Sequence, residues 1–504
     1  GGGKIKPTVA AAEAESYHFG AQINGDGSHG QMLVLGQAYL DGEITIAQGP
    51  GVYANGRTYD VLIATNGLIN TFSQTNLPAP KPLLSFEWKQ LADRIQIQAN
   101  ASFAAFGRNR VEKTVGEYLD RIAPTASGDL NDVLVEFQNL TTDPQITRAY
   151  ASLSPDSYDN YSRATYSLGQ QYSQRIQQRL DEVRLNVAGN RAAGSMAQTD
   201  FPVLLAATGS GIEMGERLAA QQSREAELAN SLWAGGFGQW SKQEAEAGYT
   251  GYDASPWGIA IGYDRNVSPE FTLGLSAAYA STHLDLNQNL GNGEIQTYSG
   301  SAYGGYVGEN FHFESVLSYG YNDYDNRRNV IVGAITQTAE SSHAGHALGS
   351  FISGGYVWRH QAWRLEPFAT LQYTYLDEEA FQESGAGGAS LAVQDRQTDS
   401  LASELGCRLG YVWQKQHFTV IPELSLAWNY DFNIDDRVLT ANYVGSPTAI
   451  LAMPGQDAEQ HGLTTGAAVT FLLRNGVSTS VRYNGEFRNR YSAHAIAGEL
   501  RFTF

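Results

Sequence analysis

The sequence predicts an all-β dominated fold: an antiparallel transmembrane β-barrel of about twelve strands with a helix in its lumen, preceded by a helical segment and a short β-helix-like stalk. Three observations carry that prediction. Long alternating segments fill the C-terminal half, their polar row keeps its charged residues strand after strand, and the joints between them alternate between short and long.

Taken in order, residues 1–107 read as β. "QMLVLGQAYLDGEITIAQGP" and "RTYDVLIATNGLINTF" are short apolar runs cut by Gly and Asp-Gly, as strands with tight turns are. Rungs of this length could stack as a parallel β-helix or close into a small sandwich, and the repeat is too degenerate to separate the two. Residues 108–205 follow as a helical segment and linker. Val111, Val115, Tyr118, Leu119 and Ile122 recur at helical spacing, and Ser154-Pro155 is a start signal for a long amphipathic run. Gly189, Gly194 and Pro202 mark a connector.

Residues 206–230 are helix-prone from Gly211 onward. About 20 helical residues span about 30 Å, the thickness of a hydrocarbon core. Glu213, Glu216, Arg217, Arg224, Glu225 and Glu227 forbid lipid contact, so a helix here is expected to run through the polar lumen of the barrel it abuts.

Residues 231–504 carry the barrel, with strands expected near 231–246, 251–266, 270–286, 294–308, 311–326, 342–359, 362–379, 396–414, 417–434, 457–474, 477–489 and 492–504. In the last of these, His494, Ile496, Gly498, Leu500, Phe502 and Phe504 form one row, and Ala495, Ala497, Glu499, Arg501 and Thr503 the other. Alternation alone would equally suit a soluble sandwich. The polar row argues against that, because Arg364, Glu366, Glu404, Arg408, Glu423, Arg482, Glu486 and Arg501 recur across many strands. Aromatics gather at segment ends (Tyr411 and Trp413, Trp428 and Tyr430, Phe502 and Phe504), as in an interfacial girdle. Short joints at 266–270, 308–310, 359–361, 414–416 and 474–476 alternate with long polar ones at 327–341, 380–395 and 435–456. An even strand count lets the chain end on Phe504, paired to the first strand, with no open edge left in lipid. Arg364, Glu366, Glu423, Arg482, Glu486 and Arg501 are therefore the expected lumen residues touching the helix, and Phe502 and Phe504 the closing positions. Cys407 falls on the lipid-facing row with Leu405 and Leu409.

Composition narrows the function. Charged residues are 17% of the chain, with 54 Gly, 28 Tyr and a net charge of −19, which disfavours nucleic acid as a partner. No apolar run is long enough for a transmembrane helix. One cysteine allows no internal disulfide. "GGGKIKPTV" carries no signal-peptide pattern and reads as the start of an excised fragment or the tail of something longer.

This order of parts resembles the classical monomeric autotransporters of Gram-negative bacteria (type Va secretion). The resemblance covers most of the chain. "LVLGQAYLDGEITI" and "YDVLIATNGLINTF" look like the last rungs of a passenger. "RVEKTVGEYLDRI" and "YASLSPDSYDNYSRATYSLGQQYSQRIQQRL" are similar to the helical segment such proteins carry. "LWAGGFGQW", "PWGIAIGYDRNVSPEFTLGLSAAYAS", "LEPFATLQYTYLD", "IPELSLAWNYDF" and "LRFTF" fit the translocator barrel. The resemblance implies an outer-membrane translocator that exports and displays its own N-terminal passenger. It also implies a monomer in outer-membrane lipid, and assembly by periplasmic chaperones and the barrel assembly machinery reading the strand that ends at Phe504. Residues 18–99 would then be the stabilising, chaperone-like end of the stalk, with the passenger at the cell surface. A surface-anchored adhesin whose binding part lies upstream of Gly1 shares all these features. A porin with a periplasmic domain is the other alternative.

No enzyme, cofactor or metal site is expected. The Asn-Asn pair of self-cleaving relatives is absent, and Asn230 is the only nearby asparagine, a weak cleavage candidate that better suits a helix end. There is no GDSL-like or Gly-x-Ser-x-Gly motif. Asp26 and His29 in "NGDGSHG" stand without partners, and the His residues show no metal-ligand spacing.

Overall fold

Alternating rows need a partner strand on each side, and twelve segments supply one another with partners in a closed ring. The computed structural model describes residues 17–197 and 230–504 apart from 416–417, 433, 435–436, 457–458 and 474–475. In it the barrel strands are β1 (Asn230–Gln243), β2 (Tyr252–Asn266), β3 (Phe271–Leu286), β4 (Gly291–Val307), β5 (Phe311–Val332) and β6 (Ile335–Tyr356). They continue with β7 (Trp363–Glu378), β8 (Arg396–Tyr411), β9 (Phe418–Asp431), β10 (His461–Leu473), β11 (Val477–Arg488) and β12 (Tyr491–Thr503). Each pairs antiparallel with its chain neighbours, and β1 pairs with β12 from Ser231↔Thr503 to Gln243↔Tyr491. The amide of Asn230 donates to the carbonyl of Phe504 and the carbonyl of Asn230 accepts from the Phe504 amide, both at 2.9 Å, so no edge is left open.

The rows face as their chemistry requires. Leu275, Leu317, Leu424 and Ile496 look outward, while Glu366, Arg408, Glu423 and Glu499 are buried inside. Trp363, Trp413, Phe502 and Phe504 are exposed at the short-turn end, and Trp240, Trp257 and Trp428 at the other. Those are two aromatic girdles with an aliphatic belt between them. Cys407 lies on the outward row and is half-buried. No described helix is long and apolar enough to cross a membrane.

Two expectations about this half need correction. Residues 327–341 are not a long joint. β5 and β6 are each 22 residues and run on to a turn at Gly333 and Ala334. The extension persists because Val330, Val332 and Ala339 are buried against helices, so alternation continues past the membrane. The joints 379–395 and 432–460 are partly ordered, through a small sheet of Phe381–Gln382, Leu391–Val393, Leu439–Tyr443 and Leu451–Met453.

At the N-terminal end, His18–Ile23, Glu43–Gln48 and Gln74–Asn76 stack in parallel, as do Met32–Val34 on Thr58–Ala64 and Ala38–Tyr39 on Leu68–Ile69. These are rungs of a short β-helix, around a core that includes Ile23, Ile44, Ile46, Tyr59 and Val61. An antiparallel pair, Leu84–Gln90 and Arg94–Ala101, finishes it.

Four helices follow: α1 (Arg110–Ile122), α2 (Gly128–Gln138), α3 (Asp143–Leu153) and α4 (Ser157–Ala197). α1 starts where Asn109 Oδ1 accepts from the Glu112 amide at 2.9 Å, and Glu112 Oε2 accepts from the Arg108 amide at 2.7 Å. Its apolar stripe of Val111, Val115, Tyr118, Leu119 and Ile122 is buried. α1 to α3 are at or below the length at which an isolated helix is stable in water, so packing must hold them. They share one core with Phe103 below, with Val330 from the extension of β5, and with Leu391, Tyr443 and Met453 from the barrel's long joints.

Candidate functional site: the plugged lumen

α4, which begins in the segment read from sequence as the helical region before the pore, lies inside the barrel. The helix expected over 206–230 lies outside the described residues, except for Asn230, which opens β1. From Tyr158 to Glu182 no α4 residue is exposed and most are fully buried, although the segment is rich in Tyr, Gln, Ser and Arg. A helix polar all round survives burial only if its groups find partners. The lumen wall supplies them.

The helix enters at the long-joint end. Tyr158 Oη donates to Glu383 Oε1 at 2.6 Å, and Asn160 Nδ2 to the Thr250 carbonyl at 2.8 Å. Ser162 Oγ donates to Glu378 Oε2 at 2.8 Å, while Thr165 Oγ1 and Tyr324 Oη are 2.9 Å apart. Midway, Tyr172 Oη is 2.8 Å from Ser276 Oγ. Tyr172, Ile176 and Leu180 pack on Trp233, Ala260, Tyr303, Val316 and Phe351, the apolar patch of an otherwise polar wall.

Toward the short-turn end the contacts become ionic. Arg179 is clasped by Asp264 of β2, with its Nε and one Nη each at 2.7 Å from a carboxylate oxygen. Arg175 donates to Glu499 of β12, and its guanidinium lies 5.8 Å from the Trp233 ring. Arg408 of β8 reaches Asp181 at 3.3 Å. From Ser157 to Asp181 the helix covers about 36 Å at 1.5 Å per residue, the height of the hydrophobic belt and one girdle.

Inward-facing glycines make room for it. A Cβ on Gly235 would sit 2.3 Å from an Arg175 nitrogen, and one on Gly293 would sit 2.6 Å from the Tyr161 ring.

The six residues singled out from sequence all lie on the inward row of their strands. Three of their described pairs run from strand to strand around the wall, Arg364 to Glu423 at 2.9 Å, Arg408 to Glu366 at 2.9 Å and Arg482 to Glu423 at 3.2 Å, while Glu486 pairs within β11 to Arg488 at 2.7 Å. Arg501 Nε donates to Ser231 Oγ at 3.3 Å. The residues that grip the helix most directly, Asp264, Arg408 and Glu499, stand on the same polar row but were not singled out. Glu499 and Asp264 were visible only as charges in strongly apolar strands.

Phe502 and Phe504 point outward, 51% and 67% exposed, at the girdle where β12 meets β1. Asn230 is held in the ladder, and its Oδ1 accepts from Tyr263 Oη at 2.7 Å. It is a strand residue rather than the end of a described helix. Asp26 accepts from the Ser28 amide and hydroxyl at 2.8 and 2.6 Å, closing a local turn. The His29 ring nitrogens lie 3.0 and 3.3 Å from the carbonyls of Gly27 and Asp60.

A closed lipid-faced barrel with a polar lumen filled by the preceding helix defines a class, the outer-membrane translocator whose chain stays threaded through its own pore. Residues 232–484, half of the chain, match the family model described as Autotransporter beta-domain, and the chain belongs to that family. It is 22% identical over 469 residues to an extracellular serine protease of Serratia marcescens, a match covering 89% of this chain and 43% of that protein. It is also 22% identical over 254 residues to Esterase EstA of Pseudomonas aeruginosa, covering 48% of this chain and 39% of the relative. The chain thus spans less than half the length of these relatives. Among solved structures it is similar to the translocator domain of autotransporter NalP from Neisseria meningitidis, at 17% identity and TM-score 0.45, covering 58% of this chain and 95% of that one. The barrel is an outer-membrane β-barrel, and passenger export is the work of this domain.

Proposed function

We propose that residues 17–156 stand outside the cell, and that α4 stays in the lumen as the end state of export, closing the pore behind a passenger displayed at the surface. The observation that carries this reading is the seat of α4. Wall residues hold it along its buried length, and the helices just before it share a core with the barrel's long joints. A chain so placed has one end tied to each side of the membrane. Folding of the stalk and helices on the long-joint side would disfavour backsliding and bias transit outward, with no nucleotide needed.

In this reading the barrel works as a monomer, assembled with periplasmic chaperones and the barrel assembly machinery, which would read the β12 end at Phe504. Residues 17–504 carry and anchor rather than catalyse. The local, turn-closing bonds of Asp26 and the backbone contacts of His29 support that.

An epitope placed beside Tyr17, in the full chain behind a signal peptide, tests the arrangement. Protease added to intact cells with a sealed periplasm should remove the epitope. Protection until the outer membrane is breached would place the stalk inside and overturn the reading.

A further inference from the structure

The two girdles differ chemically. At the short-turn end the outward rows end in Phe, Tyr, Trp and Leu. At the long-joint end four strands place a histidine on the outward row: His283 on β3, which pairs with Asp285 at 3.4 Å, and three with ring partners, His346 on β6, His461 on β10 and His494 on β12. Each of the latter three is ten residues along its strand from an outward girdle aromatic or chain end: Tyr356, Phe471 and Phe504 respectively. Ten residues at about 3.3 Å, tilted by about 40°, rise about 25 Å, the height of the apolar band. These three therefore lie where the opposite headgroups begin.

Each is also clamped in the same way. Tyr319 Oη lies 2.8 Å from His346 Nδ1, and Tyr483 Oη 2.8 Å from His494 Nδ1. Trp428 Nε1 donates to His461 Nδ1 at 3.3 Å. The same partner stacks on the imidazole at 24°, 23° and 20° between planes. A second ring, Tyr321, Phe487 or Tyr430, lies 5.3 to 5.5 Å away. An indole N–H can only donate, so the His461 Nδ1 lone pair is occupied and the neutral ring carries its proton on Nε2. With the tyrosines donating likewise, each imidazole is left with a donor on Nε2 and little rotational freedom. Hydrocarbon offers such a donor nothing, but a phosphate at the headgroup level accepts it, and a charge-assisted bond is the stronger for it.

The surroundings rank the three positions. His494 faces Trp240 in register, one outward step from Lys242, a cation at the same level. Asp253 stands opposite Lys242, and Asp377 opposite His346. His461 faces Tyr430. His461 and His494 are thus the stations best suited to an anion, and His346 the least.

We propose that this row of aromatic-clamped histidines docks the phosphorylated headgroup of the outer-leaflet glycolipid, fixing the barrel's height and rotation in the membrane. The assignment rests on the orientation proposed above, with the long joints outside. Its test does not, because a vesicle can present the lipid in both leaflets.

The full chain would be reconstituted in phosphatidylcholine vesicles, alone or doped with lipid A or with phosphatidylglycerol at matched charge. Lipid retained by the purified protein and thermal unfolding of the barrel would both be measured. Wild type should keep lipid A in preference to phosphatidylglycerol and unfold later in its presence. The triple variant His346→Phe, His461→Phe, His494→Phe keeps the rings but removes the donors. It should retain about tenfold less lipid A while matching wild type in pure phosphatidylcholine. The single variants His461→Phe and His494→Phe should each show part of the loss, and they serve if the triple variant assembles poorly. Undiminished lipid A retention in the variants would overturn the proposal, as would equal retention of phosphatidylglycerol by wild type.

Discussion

Arg179 and Asp264 meet as a fork on a fork inside the barrel, with two bonds of 2.7 Å between side chains that are 0% and 2% exposed. One belongs to the plug and the other to β2, so this pair ties helix to wall. Removing one partner strands a buried charge at a cost of about 3–5 kcal/mol, whereas replacing both with apolar residues of similar volume is often neutral. Arg179→Ala and Asp264→Ala should each lower the midpoint of urea unfolding in detergent and raise single-channel conductance in planar bilayers. The double change Arg179→Met with Asp264→Leu should recover much of the stability. A single change that leaves both readouts at the wild-type level would show that the pair does not hold the plug.

The glycine at 235 offers a cleaner test of the seat. A side chain there collides with Arg175 and crowds the Gly498 carbonyl of β12, whereas at Gly236, on the outward row, the nearest atom to an added Cβ is 3.7 Å away. Gly235→Val should displace the helix and open a conducting path, and Gly236→Val should leave conductance as it was. Equal conductance in the two variants would mean that the helix does not rest on that wall.

Above the membrane, the buried pair of Arg328 and Glu383 ties the long joints to the helices. Arg328 Nε donates to Glu383 Oε1 at 2.7 Å and an Nη to Oε2 at 2.6 Å, and an Nη also reaches the Ala389 carbonyl at 3.0 Å. Arg328 also donates to the Ser152 carbonyl at the end of α3, and Glu383 receives the Tyr158 hydroxyl and the Leu391 amide. Arg328→Ala should cost about 3–5 kcal/mol, felt mainly by the cap. Limited proteolysis should then cut within 127–156 while the barrel keeps its heat-modifiable mobility on gels. Wild-type resistance in that segment would sink the idea.

Asp156 gives the cap a pH dependence. Its carboxylate receives the Thr250 amide at 2.7 Å, yet burial outweighs this and, with Asp159 nearby, pushes its carboxyl above the usual carboxylate range. The native state therefore holds this proton more tightly than the unfolded chain does. The stabilisation is fully present below the ordinary value of 3.8 and is lost as pH rises through the raised native value. Asp156→Asn should abolish that slope and be the more stable form near neutrality. Thermal unfolding of both proteins across the mildly acidic range checks the sign; parallel curves would contradict it.

Much of the barrel was legible because a strand writes its two environments into alternate residues. Glu499 and Arg501 against Leu500 and Phe502 already mean lumen against lipid, and the even strand count suits closure. The plug was legible only as a need. α4 from Tyr158 to Glu182 carries only a short apolar stripe, Tyr172, Ile176 and Leu180, and it does not betray burial all round, because partners such as Asp264, Ser276, Ser353 and Glu499 are polar and scattered over distant strands. Local pattern registers the contrast between water and oil, and a polar helix in a polar lumen shows none. The hairpin at 327–341 was missed for a related reason. Its polar outward row suggested a joint, and only the helices lying on Val330 and Val332 reveal the buried one.

The sequence by itself determined the class: strand number, the facing of each row, the girdles and the ring's closure, all set by period-two burial that each strand carries alone. Only the tertiary structure decided which helix fills the pore, which charges grip it and how the cap sits. Those depend on polar groups meeting across the fold, and a polar group's partner is fixed by position rather than by its neighbours in the chain.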